Sequence, residues 1–254
     1  MVHGATTTAM IDSISSTYLK IPVGHVEAGS RTNDLKSPYP EELNRQLISR
    51  MASLHFTPTE LSQKNLLNEN ISSSKIFITG NTVIDSLNLI LNKFKSEHNY
   101  SNSLFLKFKK ILNFDIREKK FIVITGHRRE NFGKGFENIC NSIKTLSTKY
   151  PLIYFVYTVH LNPLVQKPFQ EILGNINNIK LLQPVEYEEF IFLLKHAYLV
   201  LTDSGGLQEE ASSLGVPALV MRETTERPEA LQSKIITLVE SDQKTIINKT
   251  CNIL

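Results

Sequence analysis

Short apolar runs alternate along this chain with longer segments whose apolar positions recur at helical spacing. The first kind reads as buried strands and the second as amphipathic helices. The opening "MVHGATTTAM" has Val2-His3-Gly4 as a strand end and Thr6-Thr7-Thr8 as the first turn of a helix. "KIPVGHVE" follows as a strand, then "PEELNRQLISRMAS" as a helix, with Pro40 in its first turn and Leu43, Leu47, Ile48 and Met51 on one face. "LHFTPT" is a strand, and "TELSQKNLLNENI" is a helix that Thr59 can cap. "IFITGN" and "TVIDSLNLILNKF" repeat the pair. A Lys-rich polar stretch from about Ser96 to Lys120 breaks the rhythm and sets the expected domain division, 1–95 and 96–254. Beyond it the strands "KFIVITGH", "LIYFVYTVH", "IKLLQPV", "YLVLTDSGG", "PALVMRE" and "KIITLVE" are separated by helical segments, and "DQKTIINKTCNIL" ends the chain as a helix. Strands alternating with helices predict an α/β fold with parallel sheets and crossover helices. In such sheets ligands bind outside the carboxyl ends of the strands.

Composition narrows the class. The 254 residues are 41% hydrophobic and 21% charged, enough apolar content for packed cores. The net charge of +3 comes from scattered basic residues. That pattern argues against a nucleic-acid partner and suits a small anionic ligand. Two cysteines, Cys140 and Cys251, stand in unrelated contexts, so neither a metal site nor a disulfide framework is expected. No apolar run is long enough for a membrane span, and no secretory leader is read at the N-terminus. The expectation is a soluble cytoplasmic protein without a membrane partner.

The strand tips carry the candidate chemistry. In "TDSGGLQEE", Ser204-Gly205-Gly206 leads from a strand into a helix. Backbone N–H groups there can bind phosphate, although a plain tight turn has the same sequence. A carboxylate one turn further on can accept from ribose hydroxyls; Glu210 is the choice, with Glu209 adjacent. "TGHRREN" sets His127, Arg128, Arg129 and Glu130 at a tip, an anion or acid/base site against the alternative of a solvated charged loop. Glu27 lies directly beyond a strand. Glu41 and Glu42 begin a helix, where favourable dipole electrostatics alone would account for them. His160 ends a strand, and Arg222 and Arg227 flank "ETTE". Phe190, at helical spacing, reads as core, and His3, His25, His55, His98 and His196 as core or surface. No GxSxG, GxxxxGK[ST] or GxGxxG pattern occurs, which disfavours a serine hydrolase, a P-loop NTPase and a standard NAD enzyme.

Nine segments, "VHGATTTAM", "IPVGHVEAG", "SPYPEELNR", "HFTPTE", "FITGNTVIDSL", "TGHRREN", "VHLNP", "LTDSGGLQEE" and "VMRETTERPEA", occur in one order over nearly the whole chain. Together they resemble the non-hydrolysing UDP-N-acetylglucosamine 2-epimerase family. The resemblance implies two Rossmann-like domains of glycosyltransferase-B type, the first incomplete and the second binding UDP. It implies a UDP-sugar substrate, no metal or other cofactor, and a homodimer in the intact family. It further implies interconversion of UDP-N-acetylglucosamine and UDP-N-acetylmannosamine through elimination and re-addition of UDP. Under it Glu27 and Glu41 correspond to acid/base residues and His127 to a group near the leaving oxygen. Ser204, Gly205, Gly206 and Arg227 correspond to diphosphate contacts, and Glu210 to the ribose contact. Phe190 becomes the residue packing on uracil, with the Val185 backbone beside the base. Arg128 and His160 line the substrate site or a second nucleotide-sugar site. Two departures stand out: Ala5 occupies the place of a catalytic Asp, and Ser212 that of a Pro. The chain also lacks the family's first strands and last helices. The expectation is therefore a truncated member with impaired turnover, or an inactive fragment that binds UDP or a UDP-sugar.

Overall fold

The structure, a computed structural model, describes residues 1–126, 131, 133–158, 169–222, 225 and 235–254. The chain forms two compact units, the first comprising Met1–Ile84 and the second beginning at Asp85.

The first unit holds four strands, β1 (Val2–His3), β2 (Gly24–Val26), β3 (Leu54–Thr57) and β4 (Ile76–Ile78), all parallel and in the order of the sequence. Its helices are α1 (Thr7–Tyr18), α2 (Glu41–Met51) and α3 (Glu60–Asn68). Thr59 caps α3 as the sequence suggests, whereas Thr6, read from the sequence as part of the first turn, is the cap of α1. Thr6 accepts from the Ala9 N–H, and Thr59 accepts from the Ser62 N–H, each at 3.1 Å. The apolar residues form two small clusters, Val2, Ala9, Val23, Ile48 and Ala52 in one and Ala28, Leu66 and Ile76 in the other.

Helix α4 (Thr82–Ser96) runs into the second unit, and Leu87, Ile90 and Phe94 lie in that unit's core. The unit boundary at Ile84/Asp85 thus falls ahead of the expected 95/96 division. The Lys-rich stretch is not a break. It contains helix α5 (His98–Leu112), which buries Leu104, Phe108 and Leu112 at four-residue spacing and turns its lysines outward.

Six parallel strands make the second sheet: β5 (Phe121–Thr125), β6 (Tyr154–Thr158), β7 (Ile179–Leu182), β8 (Leu199–Thr202), β9 (Ala218–Val220) and β10 (Ile236–Leu238). All five residues of β5 are buried. Alternate strand residues feed two cores. Phe121, Val123, Val156 and Val200 pack with α4, α5 and helix α7 (Tyr187–His196). Ile122, Ile124, Phe155 and Leu201 pack with helices α6 (Lys134–Lys149) and α9 (Gln243–Ile253). Helix α8 (Gly205–Leu214) follows β8.

The strand order is β10-β9-β8-β5-β6-β7. From β5 the chain builds one way through β6 and β7, then returns to β8 on the other side of β5 and builds away through β9 and β10. The carboxyl ends of β5 and β8 therefore flank the topological switch point, where open parallel sheets form a ligand crevice. Among the described residues no helix is long and apolar enough to cross a membrane.

Candidate functional site

Three neighbouring strands of the second sheet end in threonine. Thr125 pairs in register with Thr158 on one side and Thr202 on the other. The Thr125 and Thr202 hydroxyls lie 2.6 Å apart, and Thr202 Oγ1 accepts from the Ser204 N–H at 3.0 Å. This side-chain turn sets the angle at which the chain leaves β8 and enters α8. Further locks sit beneath the tips. The Tyr157 hydroxyl donates to the Gly126 carbonyl at 2.6 Å, and Asn131 Nδ2 donates to Asp203 Oδ2 at 3.2 Å. Burial, then the Asp203 charge, push the Tyr157 hydroxyl far above its ordinary pKa, so it remains a donor. Arg222, two residues beyond the end of β9, is buried rather than exposed in a surface loop. Tyr157, Asn131 and Asp203 were not singled out from sequence. The available signal was the Thr closing each of "FIVIT", "YFVYT" and "LVLT".

Above this floor lies a pocket of about 330 Å³. Thr125, Gly126, Thr158 and Ser204 line it from the strand tips, Pro184 and Val185 from the loop after β7, Tyr187 and Phe190 from α7, and Leu207 and Glu210 from α8. Four candidates from the sequence, Val185, Phe190, Ser204 and Glu210, thus share one cavity. Phe190 both lines the cavity and packs against the core, which is why helical spacing alone reads it as core. Gly205 and Gly206 form the first turn of α8, and the Ser204 hydroxyl does not cap that turn. A Cβ placed on Gly206 would meet nothing within 4 Å among the described residues, so with respect to these the helix N-terminus opens onto space. Such an end offers backbone N–H groups and a positive dipole to an anion. Glu210 is only 6% exposed and accepts a hydrogen bond from the Tyr187 hydroxyl, while Glu209 is half-buried.

A second cluster occupies the carboxyl edge of the first sheet. Gly4 and Glu27 follow the paired strands β1 and β2, with φ of +69° and +64°. The left-handed backbone at Glu27 is uncommon for a residue with a Cβ. A Cβ on Gly4 would lie 3.4 Å from Glu27 Oε2, so glycine leaves the carboxylate room, and His3 Nε2 is 3.6 Å from the same oxygen. His25 lies wholly buried in β2, with Nε2 2.9 Å from the Gly4 carbonyl. Burial lowers its pKa to about 4, the Gly4 hydrogen bond opposing. Ala5 is the tip residue, and Asn44 Nδ2 on α2 donates to its carbonyl at 2.9 Å. Glu41, one turn before Asn44, shares that helix face. Glu42 is different: its wholly buried carboxylate accepts from the Thr32 and Asn33 N–H groups at 3.0 and 3.2 Å and pairs with Arg45. Glu42 therefore shapes the loop after β2, a distinction invisible in the doublet "EE". His127, Arg128, His160 and Arg227 lie outside the described residues.

The family model for UDP-N-acetylglucosamine 2-epimerases matches residues 1–254. The chain belongs to this family. It is 50% identical over its whole length to the UDP-N-acetylglucosamine 2-epimerase of Escherichia coli K12, of which it spans 66%. Among solved structures it resembles the epimerase of Neisseria meningitidis bound to UDP-GlcNAc, at 48% identity and a TM-score of 0.94, covering 99% of this chain and 66% of that one. It also resembles the Methanocaldococcus jannaschii epimerase in complex with UDP-GlcNAc and UDP, at 35% identity and a TM-score of 0.87, covering 100% and 68%. Its α/β architecture is of the glycosyltransferase-B type found in these epimerases. The chain thus spans about two thirds of the length of the relatives it matches.

Proposed function

We propose that the pocket at the switch point of the second sheet binds the UDP moiety of a UDP-sugar. The observation that carries this reading is the convergence of an aromatic ring, a helix N-terminus and a buried carboxylate on one cavity. Its volume falls within the roughly 300–1,000 Å³ usual for small-molecule sites. Uracil packs on Phe190 beside the Val185 backbone, the ribose reaches Glu210, and the N–H groups of Ser204, Gly205 and Gly206 meet the diphosphate. Arg227 adds positive charge to the diphosphate, and Arg128 and His160 belong to the substrate site or a second nucleotide-sugar site.

The reaction is interconversion of UDP-N-acetylglucosamine and UDP-N-acetylmannosamine. A base removes the C2 proton as the C1–O bond to UDP breaks, leaving a C1=C2 double bond in the sugar. UDP then re-forms the C1–O bond while a proton is delivered to the other face of C2. Glu27 and Glu41 are the acid/base pair and His127 serves the leaving oxygen, since proton movement at carbon needs positioned groups of this kind. Incubation with UDP-N-acetylglucosamine in D₂O, followed by NMR, tests this: deuterium at C2 and the mannosamine epimer are expected. Binding of UDP without either product would contradict the catalytic reading.

A second reading, UDP binding without turnover, is favoured by one observation. Ala5 puts a methyl group at the tip beside Glu27, at the place where the family resemblance calls for a carboxylate. Assembly as a homodimer and a cytoplasmic location complete the proposal, and light scattering of the purified chain tests the former.

A further inference from the structure

The chain holds two cysteines in opposite settings. Cys140, on α6, is wholly buried, and burial pushes its thiol up to about 12, so it stays protonated and inert. Cys251, on α9, is half-buried where α9 packs against α6. Lys149 is the last residue of α6, and its Nζ donates to Cys251 Sγ at 3.2 Å. Tyr150 follows, and its hydroxyl also hydrogen-bonds the sulfur; contact with Cys251 is the first cause of the raised pKa of Lys149 and of Tyr150 alike. Lys149 is exposed, so solvent and small oxidants reach the pair. An amine and a thiol 102 residues apart in sequence are thus in contact because two helices pack. Their separation falls within the roughly 3–3.5 Å at which bound groups are poised to react. A sulfur oxidised to the sulfenic acid is electrophilic and condenses with a neighbouring thiol or nitrogen. With Cys140 enclosed in the core, the nucleophile beside Cys251 is Lys149 Nζ.

We propose that Cys251 and Lys149 form a peroxide-responsive clasp, in which the oxidised Cys251 sulfur is captured by Lys149 Nζ as a sulfenamide joining α9 to α6. In the first step the Cys251 sulfur attacks a hydroperoxide oxygen. An S–O bond forms and the O–O bond breaks. The sulfur gives up two electrons, and the thiol proton leaves with the reduced peroxide as water or an alcohol. In the second step Nζ, after losing one proton to solvent, attacks the sulfur. An S–N bond forms, the S–O bond breaks, and the hydroxyl departs as water with a second proton from nitrogen. No further oxidant is consumed. A thiol reductant returns the electrons and restores the free thiol and amine.

Peroxide treatment of the full chain, followed by digestion and mass spectrometry, tests the clasp. A joined pair of peptides carrying Lys149 and Cys251 is expected, about 2 Da lighter than their sum and separated again by dithiothreitol. Lys149→Arg, which keeps the charge but not the amine, should abolish the link and raise the yield of Cys251 sulfenic acid trapped by dimedone several-fold. Cys251→Ser should abolish both products, and Cys140 should stay unmodified throughout. In urea the link should disappear, since only the packed helices bring the two groups together. Cys251 that is inert to peroxide, or that stops at the sulfenic acid or a higher oxide in the unaltered chain, would overturn the proposal. So would equal trapping in the unaltered chain and Lys149→Arg, a link that retains the peroxide oxygen, or one that persists in urea.

Discussion

Acid should loosen the first sheet through His25. The ring is wholly buried in β2, between Val2 of β1 and His55 of β3 in the strand register. Because Nε2 faces the Gly4 carbonyl at 2.9 Å, Nε2 carries the hydrogen, and a second proton must go to Nδ1, which has no hydrogen-bond partner among the described residues. Burial lowers the folded pKa from 6.5 to about 4, with His55, Arg31 and His3 adding to the effect. A lowered histidine pKa makes the neutral form the stable one when folded. Its stability is therefore fully present above pH 6.5 and is lost as pH falls toward about 4, as the unfolded chain takes up a proton that the folded chain refuses. At about 1.4 kcal/mol per tenfold the whole effect is about 3 kcal/mol, most of it expressed by about pH 4.5. His55, also lowered by burial, acts in the same direction. The assay is hydrogen exchange read by mass spectrometry on peptides spanning residues 22–28, corrected for the intrinsic rate. Opening of β2 should become easier by roughly 2–3 kcal/mol between pH 7 and 4.5, and His25→Gln, which keeps an N–H donor without a titrating ring, should lose most of that slope. An invariant opening energy, or the same slope in the variant, would refute the reasoning. Since His25 holds the Gly4 carbonyl, the same protonation should disturb the tip that carries Ala5 and faces Glu27.

Three further outcomes are expected. Gly206→Val should leave the unfolding free energy within about 0.5 kcal/mol, since the added Cβ meets none of the described residues, yet lower UDP affinity about ten-fold or more by filling the space at the helix N-terminus; urea unfolding and calorimetry separate the two effects. Gly29→Ala should destabilise the first unit by about 2–4 kcal/mol, because φ is +85° and a Cβ would stand 2.2 Å from the Ser62 carbonyl oxygen; thermal unfolding measures it. Ala5→Asp, which puts a carboxylate at the tip position where the family resemblance calls for one, should raise the rate of C2 deuteration by about ten-fold or more, and an unchanged rate would remove Ala5 from the account of turnover.

Much of the fold was legible because its strands are short apolar runs, several of them fully buried in the second sheet, and its caps use ordinary chemistry. "FIVIT" is apolar until its last residue because both faces of β5 are covered, and Thr59 caps α3 as its position before "ELSQ" suggests. Helix α5 was illegible because Leu104, Phe108 and Leu112 are its buried residues, with Tyr100 and Phe105 half-buried against the same core, and the lysines among them dominate the composition. At the site, spacing along one helix cannot say that Phe190 lines a cavity as well as a core. The doublet "EE" cannot say that Glu42 is spent on the Thr32 and Asn33 amides while Glu41 begins the helix. Tyr187 escaped notice because its partner is 23 residues away on another helix. His3 and His25 likewise look isolated in sequence, since their partners arrive only when β1 and β2 pair.

The central claim is that the cavity at the switch point of the second sheet holds UDP. Titration of the isotopically labelled chain with UDP, followed by backbone NMR shifts, tests it most directly. Saturable shifts are expected at Gly126, Val185, Tyr187, Phe190, Ser204, Gly205, Gly206 and Glu210. No shifts at millimolar UDP, or saturable shifts confined to residues away from this cavity, would contradict it.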